Sequence, residues 1–69
     1  MPLSMMNIGE SGKVVKVTGK DETRQFLENL GFVKGSEVTV VSEISGNMIV
    51  NVKDTRVAID RSMANRIVV

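Results

Sequence analysis

The stretch "LENLGFVKGS", residues 27–36, decides the fold, because its two glycines stand four residues apart and admit two readings. One glycine closes a helix and the other turns the chain into a strand, or both belong to a phosphate-cradling loop. What precedes the stretch settles the choice. In "DETRQFLENL" the apolar Phe26, Leu27 and Leu30 fall on one helical face, and Glu22, Arg24, Gln25, Glu28 and Asn29 remain for water. A short amphipathic helix therefore leads into the glycines. Gly31 is placed to close it in a left-handed conformation, with Phe32 folding back on Leu27 or Phe26 as the apolar residue of a Schellman motif. Gly35 follows in "VKGS" as a turn glycine. A phosphate loop needs its glycines after a strand and before a helix, the reverse of this order.

The helix start is weaker. Asp21 is the expected N-cap and Glu22 adds charge at the positive end of the helix dipole, but Arg24 at the third position precludes a capping box.

Upstream, "GKVVKVTG" reads as one strand with Val15 and Val17 on one face and Val14 and Lys16 on the other, bounded by glycines. Downstream, "SEVTVVSE" puts Val38 and Val40 on one face, and "NMIVNVK" does the same with Met48, Val50 and Val52. The connection "ISGN" makes these a hairpin. A second turn at "KDT" leads into "TRVAI", with Thr55, Val57 and Ile59 on one face and Arg56 and Ala58 on the other. A three-stranded meander results. "DRSMANR" has room for one helical turn carrying Met63 and Ala64 inward, and "IVV" closes the chain as a short strand. The expectation is a mainly β chain of about five strands curled into a small barrel, with the helix between the first and second strands, since closure removes exposed edges.

Composition bounds the chemistry. The chain has 69 residues, 42% hydrophobic and 25% charged, so residues 1–69 are expected to form a single packed domain. It contains no Cys and no His, so disulfides and zinc sites of the usual kind are not available to staple it. Nine basic and eight acidic residues give a net charge of +1, too little to favour nucleic acid or an anionic surface. The start "MPLSMMNIGES" lacks the basic and apolar regions of a signal peptide, and no apolar run approaches the roughly 20 residues of a membrane span. A cytoplasmic protein is expected. The initial Met1 and the lack of a linker favour an independent chain over a fragment.

Candidate catalytic groups are poor. Nucleophilic catalysis by Ser or Thr ordinarily uses a His base, and none is present. Asp54 and Asp60 are read as solvated turn acids in preference to a general acid and base. Met5 and Met6 are conceivable soft ligands for a cuprous ion, with packed or flexible N-terminal residues as the favoured reading, and Met48 and Met63 belong to the core. Arg56, Arg61 and Arg66 are a possible basic patch for RNA, but two Phe with no Trp or Tyr leave nothing for bases to stack on. No enzyme activity, metal or cofactor is expected.

With helix, glycine turn and meander placed, the sequence resembles the FeoA family of small proteins of bacterial ferrous iron transport. The resemblance runs through "LSMMNIGESGKVVKVTG", "RQFLENLGFVKGSEVTVV" and "GNMIVNVKDTRVAIDRSMANRIVV", in that order, and the second segment is the most specific. Two departures are visible: Lys34 stands where the family often has proline, and Asp60 where a basic residue is common. The resemblance implies an SH3-like barrel. It also implies a cytoplasmic accessory protein that binds and modulates FeoB, the ferrous iron transporter with a GTP-binding domain, by protein contact. The alternative is an SH3-like regulatory domain related to iron-dependent transcriptional repressors, with an RNA-binding barrel third. For a partner surface the residues point to the hairpin "ISGNM", hence Ile44, Gly46, Asn47 and Met48, with Arg56 and Arg61 as secondary contacts. An inward-folded Ile44 is the competing reading. Gly31 and Gly35 are assigned to folding, and a final strand left exposed would allow self-association.

Overall fold

Strand pairing in the computed structural model, which describes residues 1–69, separates the chain into two sheets. β1 (Ser11–Lys13), β3 (Glu37–Ile44), β4 (Asn47–Val52) and β5 (Thr55–Asp60) form an antiparallel sheet in the order β1-β3-β4-β5. β2 (Lys16–Val17) pairs with β6 (Ile67–Val68) in a second, two-stranded sheet. The helix α1 (Asp21–Asn29) lies between β2 and β3, the single turn α2 (Arg61–Ala64) between β5 and β6, and a 3-10 turn spans Leu3–Met5.

Two expectations are thereby corrected. There are six strands, not five, and the sheet does not close into a barrel; the helix follows the second strand, not the first. The sheet stays open because β5 has no strand on its far side, and the extra strand before the helix comes from a change of partner inside "GKVVKVTG". The Val14 N–H donates to the Ser36 carbonyl at 2.9 Å and its own carbonyl accepts from Gly35 N–H at 2.8 Å, whereas the Val15 N–H donates to the Val68 carbonyl at 2.7 Å. The chain leaves one sheet for the other between these residues. Continuous alternation is lost, so Val14 is buried, Val15 is exposed and Val17 packs against the core.

The helix end forms as its sequence requires. The Gly31 N–H bonds to Glu28 and the Phe32 N–H to Leu27, the two bonds of a Schellman motif, with Gly31 at φ +112°. Phe32 and Leu27 are fully buried in the core, but Phe26, expected on the same face, is half exposed. It sits about 100° around the helix from Leu27, and the stripe facing the core holds only Leu27 and Leu30. Asp21 is not the N-cap. Lys20 occupies that position without a side-chain cap bond, and Asp21, the first helical residue, instead pairs with Arg24.

The meander forms in the expected phase, with Val38, Val40, Met48, Val50, Val52 and Ile59 inside. Its turns Ser45-Gly46 and Lys53-Asp54 have positive φ at both residues, the two-residue type that matches strand twist. One irregularity interrupts β3, where the register shifts between Val40 and Ser42. The extra residue, Val41, is a β-bulge, and it inverts which residues of β3 point inward from there on.

The N-terminal segment completes the core. Leu3 is fully buried and Met6 nearly so. Pro2 bridges to Val68, and the Ser4 hydroxyl donates to the Asn65 side chain.

Candidate functional site

The hairpin joining β3 and β4 presents Ile44 to solvent because of the bulge. Val38 and Val40 point inward, and an unbroken alternation would carry Ser42 and Ile44 inward with them. With Val41 inserted, Ile44 instead pairs with Asn47 on the outer face and is 61% exposed. Gly46 at φ +82° and Ser45 at φ +50° form the tip. Glu43 pairs with Met48, which is fully buried. Met48 therefore belongs to the core and offers no contact to a partner, a correction to its place among the expected surface residues.

Arg61 ties this end of the molecule together. Its guanidinium pairs with Glu43 and donates to the Ser4 carbonyl at 3.2 Å. Exposed Met5 follows Ser4 and exposed Ile44 follows Glu43, so the arginine holds the neighbours of two solvent-facing apolar side chains. Glu43 and Ser4 were not singled out from sequence. They lie 18 and 57 residues from Arg61, and no local pattern links them.

Arg56 is elsewhere. It stands opposite Asn51 and donates to that side chain at 3.3 Å, four strand residues and about 13 Å from the Asn47 end of the hairpin. It borders an open polar hollow with Ser36, Glu37, Thr39, Asn51, Lys53 and Asp54. Arg66 precedes β6, and its side chain lies over Gly19. The three arginines are dispersed, not a patch. Asp54 and Asp60 sit at opposite ends of β5, so they form no acid pair. Met6 is buried and Met5 exposed, so the two do not face one another as ligands. No three His, Cys, Asp or Glu residues gather as a metal site, and no helix is long and apolar enough to cross a membrane.

Comparison with known proteins supplies what geometry alone does not. The family model for the FeoA domain matches residues 1–69. The chain belongs to the FeoA family. The zinc-complexed FeoA of Stenotrophomonas maltophilia is 35% identical, with 99% of this chain and 87% of that one covered at a TM-score of 0.87. That protein is described as a procaryotic SH3 domain, which agrees with the expected SH3-like character of this one. A FeoA structure described as an iron uptake regulatory protein is 32% identical over 97% of this chain and 91% of that one, at a TM-score of 0.89. A manganese-dependent transcriptional repressor matches 97% of this FeoA chain with 39% of its own, at a TM-score of 0.86 and 18% identity, which is a likeness of fold alone. No curated protein matches this chain.

Proposed function

We propose that this FeoA protein is a cytoplasmic accessory module of ferrous iron uptake, which binds a FeoB-type transporter and modulates it by protein contact without catalysing a reaction of its own. The family match over residues 1–69 carries this reading. It is supported by the 35% identity to the Stenotrophomonas maltophilia protein, itself proposed as an activating factor of bacterial ferrous iron transport. The repressor reading rests on 18% identity and is not favoured.

The contact surface proposed is the hairpin tip, with Ile44 as the apolar anchor, Gly46 and Asn47 beside it and Arg61 at its base. An exposed aliphatic side chain on a rigid two-strand support meets a partner with little ordering cost. Arg56, at the far end of β5, is a secondary contact reached only by a partner that spans the outer face of the sheet. The region of the transporter that it meets is the cytoplasmic GTP-binding region or the membrane domain.

The test is capture of full-length transporter in detergent by this protein in nucleotide-free, GDP and GTP-analogue states. Capture is expected in at least one state, and Ile44→Asp is expected to weaken it about tenfold or more, since a buried apolar anchor is replaced by a charge. The unfolding midpoint should be unchanged, because Ile44 is exposed. Absence of capture in every state overturns the accessory reading. Capture indifferent to Ile44→Asp moves the site off the hairpin.

A further inference from the structure

β5 ends the four-stranded sheet, so one of its edges faces no strand. Which backbone groups lie on that edge follows from the turn. Val52 and Thr55 flank the two-residue turn Lys53-Asp54 and exchange hydrogen bonds, and bonding alternates along the antiparallel pair. Thr55, Val57 and Ile59 thus bond to β4, leaving Arg56, Ala58 and Asp60 with backbone groups aimed outward. An open edge of this kind is a template for another strand unless its side chains forbid pairing.

The side chains here do not forbid it. Arg56 and Asp60 lie symmetrically about Ala58, on the outer face of the sheet, and neither has an ion-pair partner in the chain. Four residues apart on an extended strand, about 13 Å, they do not reach each other.

We propose that β5 pairs antiparallel with β5 of a second copy of this chain, about a two-fold axis at Ala58, forming one continuous sheet across the dimer. In this register the two Ala58 residues exchange backbone hydrogen bonds, and each Asp60 N–H donates to the Arg56 carbonyl of the other copy. The Asp60 carbonyl is already the first acceptor of α2 and stays there. Arg56 of each copy faces Asp60 of the other, in both directions at once, as an isologous interface requires. Asp60 uses Oδ1 to cap α2, accepting from the Met63 N–H at 2.8 Å, which leaves Oδ2 for the arginine.

The register is specified by charge. Centring the pair on Arg56 sets arginine against arginine, and centring it on Asp60 sets aspartate against aspartate. Centring on Val57 leaves Arg56 opposite Ala58 and forms no ion pair. Like charges directly opposite are unfavourable and opposite ones favourable across a strand pair. Ala58 at the axis adds no bulk where the backbones approach. Pairing a single short strand buries little surface, so the dimer is of the weak, concentration-dependent class.

Sedimentation equilibrium over rising concentration tests this, using the unmodified chain, Arg56→Asp, Asp60→Arg and an equimolar mixture of the two variants. Dimerisation is expected for the unmodified chain and should weaken about tenfold or more in each variant alone. It should return in the mixture, where an all-acidic edge meets an all-basic one. A chain monomeric at every concentration overturns the proposal, as does a dimer indifferent to Arg56→Asp or a mixture of folded variants that does not associate. Should Asp60→Arg fail to fold without its cap, Ala58→Cys decides. The chain has no other cysteine, and a hydrogen-bonded antiparallel pair sets the two Cα atoms about 5.5 Å apart, within disulfide reach. Mild oxidation should give a covalent dimer of Ala58→Cys and none of Asn51→Cys, which lies on β4 inside the sheet. Equal cross-linking of both overturns the register.

Discussion

The two phenylalanines show how a single position sets the role of a side chain. Phe32 follows the left-handed Gly31, and the Schellman turn directs it back beneath the helix, where it is fully buried. Phe26, though inside the helix, stands off the stripe that faces the core and is half exposed. Phe32→Ala should therefore destabilise the chain by about 3–5 kcal/mol through lost burial and the cavity left behind. Phe26→Ala should cost about 1 kcal/mol or less, since half its surface is already in water. Urea unfolding of both variants checks the contrast, and comparable costs would mean that the helix is rotated from its described position. Gly31 itself is held by backbone conformation, not by crowding. A Cβ there would meet the Val52 and Lys53 side chains only at 3.5 Å, an ordinary contact, whereas its φ is one that other residues rarely adopt.

At the scale of elements, the hairpins were legible and the two irregularities were not, for a common reason. Ser45-Gly46 and Lys53-Asp54 interrupt clear alternation, so strand limits and inward faces could be read on either side of them. The bend at Val14–Val15 and the bulge at Val41 both fall in Val-Val doublets. A doublet is equally apolar in either phase, so periodicity cannot tell which phase continues. The face taken by Ile44, and with it the proposed partner surface, depended on the second of these. The count of six strands, and the place of the helix after the second, depended on the first. Capping differs between the helices in a similar way. Asp60 is a working cap of α2, and Asp21 makes no cap bond to α1. In dilute solution Asp60→Ala should lower stability by about 1 kcal/mol and Asp21→Ala by less than about 0.5 kcal/mol. Thermal melts of the two variants measure the difference. Equal losses would show that the α2 cap bond contributes nothing beyond surface charge.

For the whole molecule, the N-terminal segment is the decisive addition to what the meander buries. The Met1 amino group donates to the Val69 carbonyl, the Val69 N–H donates to Met1, and Arg61 reaches back to Ser4, so residues 1–6 are held by the other end of the chain. Leu3 is fully buried among strands and α2, yet nothing in "MPLSMM" marks it as core, because six residues are too few for a period to show. A 69-residue chain without disulfides has a total stability of roughly 3–10 kcal/mol. Leu3→Ala should remove about 2–5 kcal/mol of it, enough to populate the unfolded state at ambient temperature if the total is near the lower bound. Met5→Ala, two residues on but 68% exposed, should change stability by less than about 0.5 kcal/mol. Denaturant titration separates the cases: a lower midpoint with an unchanged slope for Leu3→Ala means a core residue lost from a cooperative unit. A midpoint unmoved by Leu3→Ala would mean instead that the N-terminal segment rests on a core already complete without it.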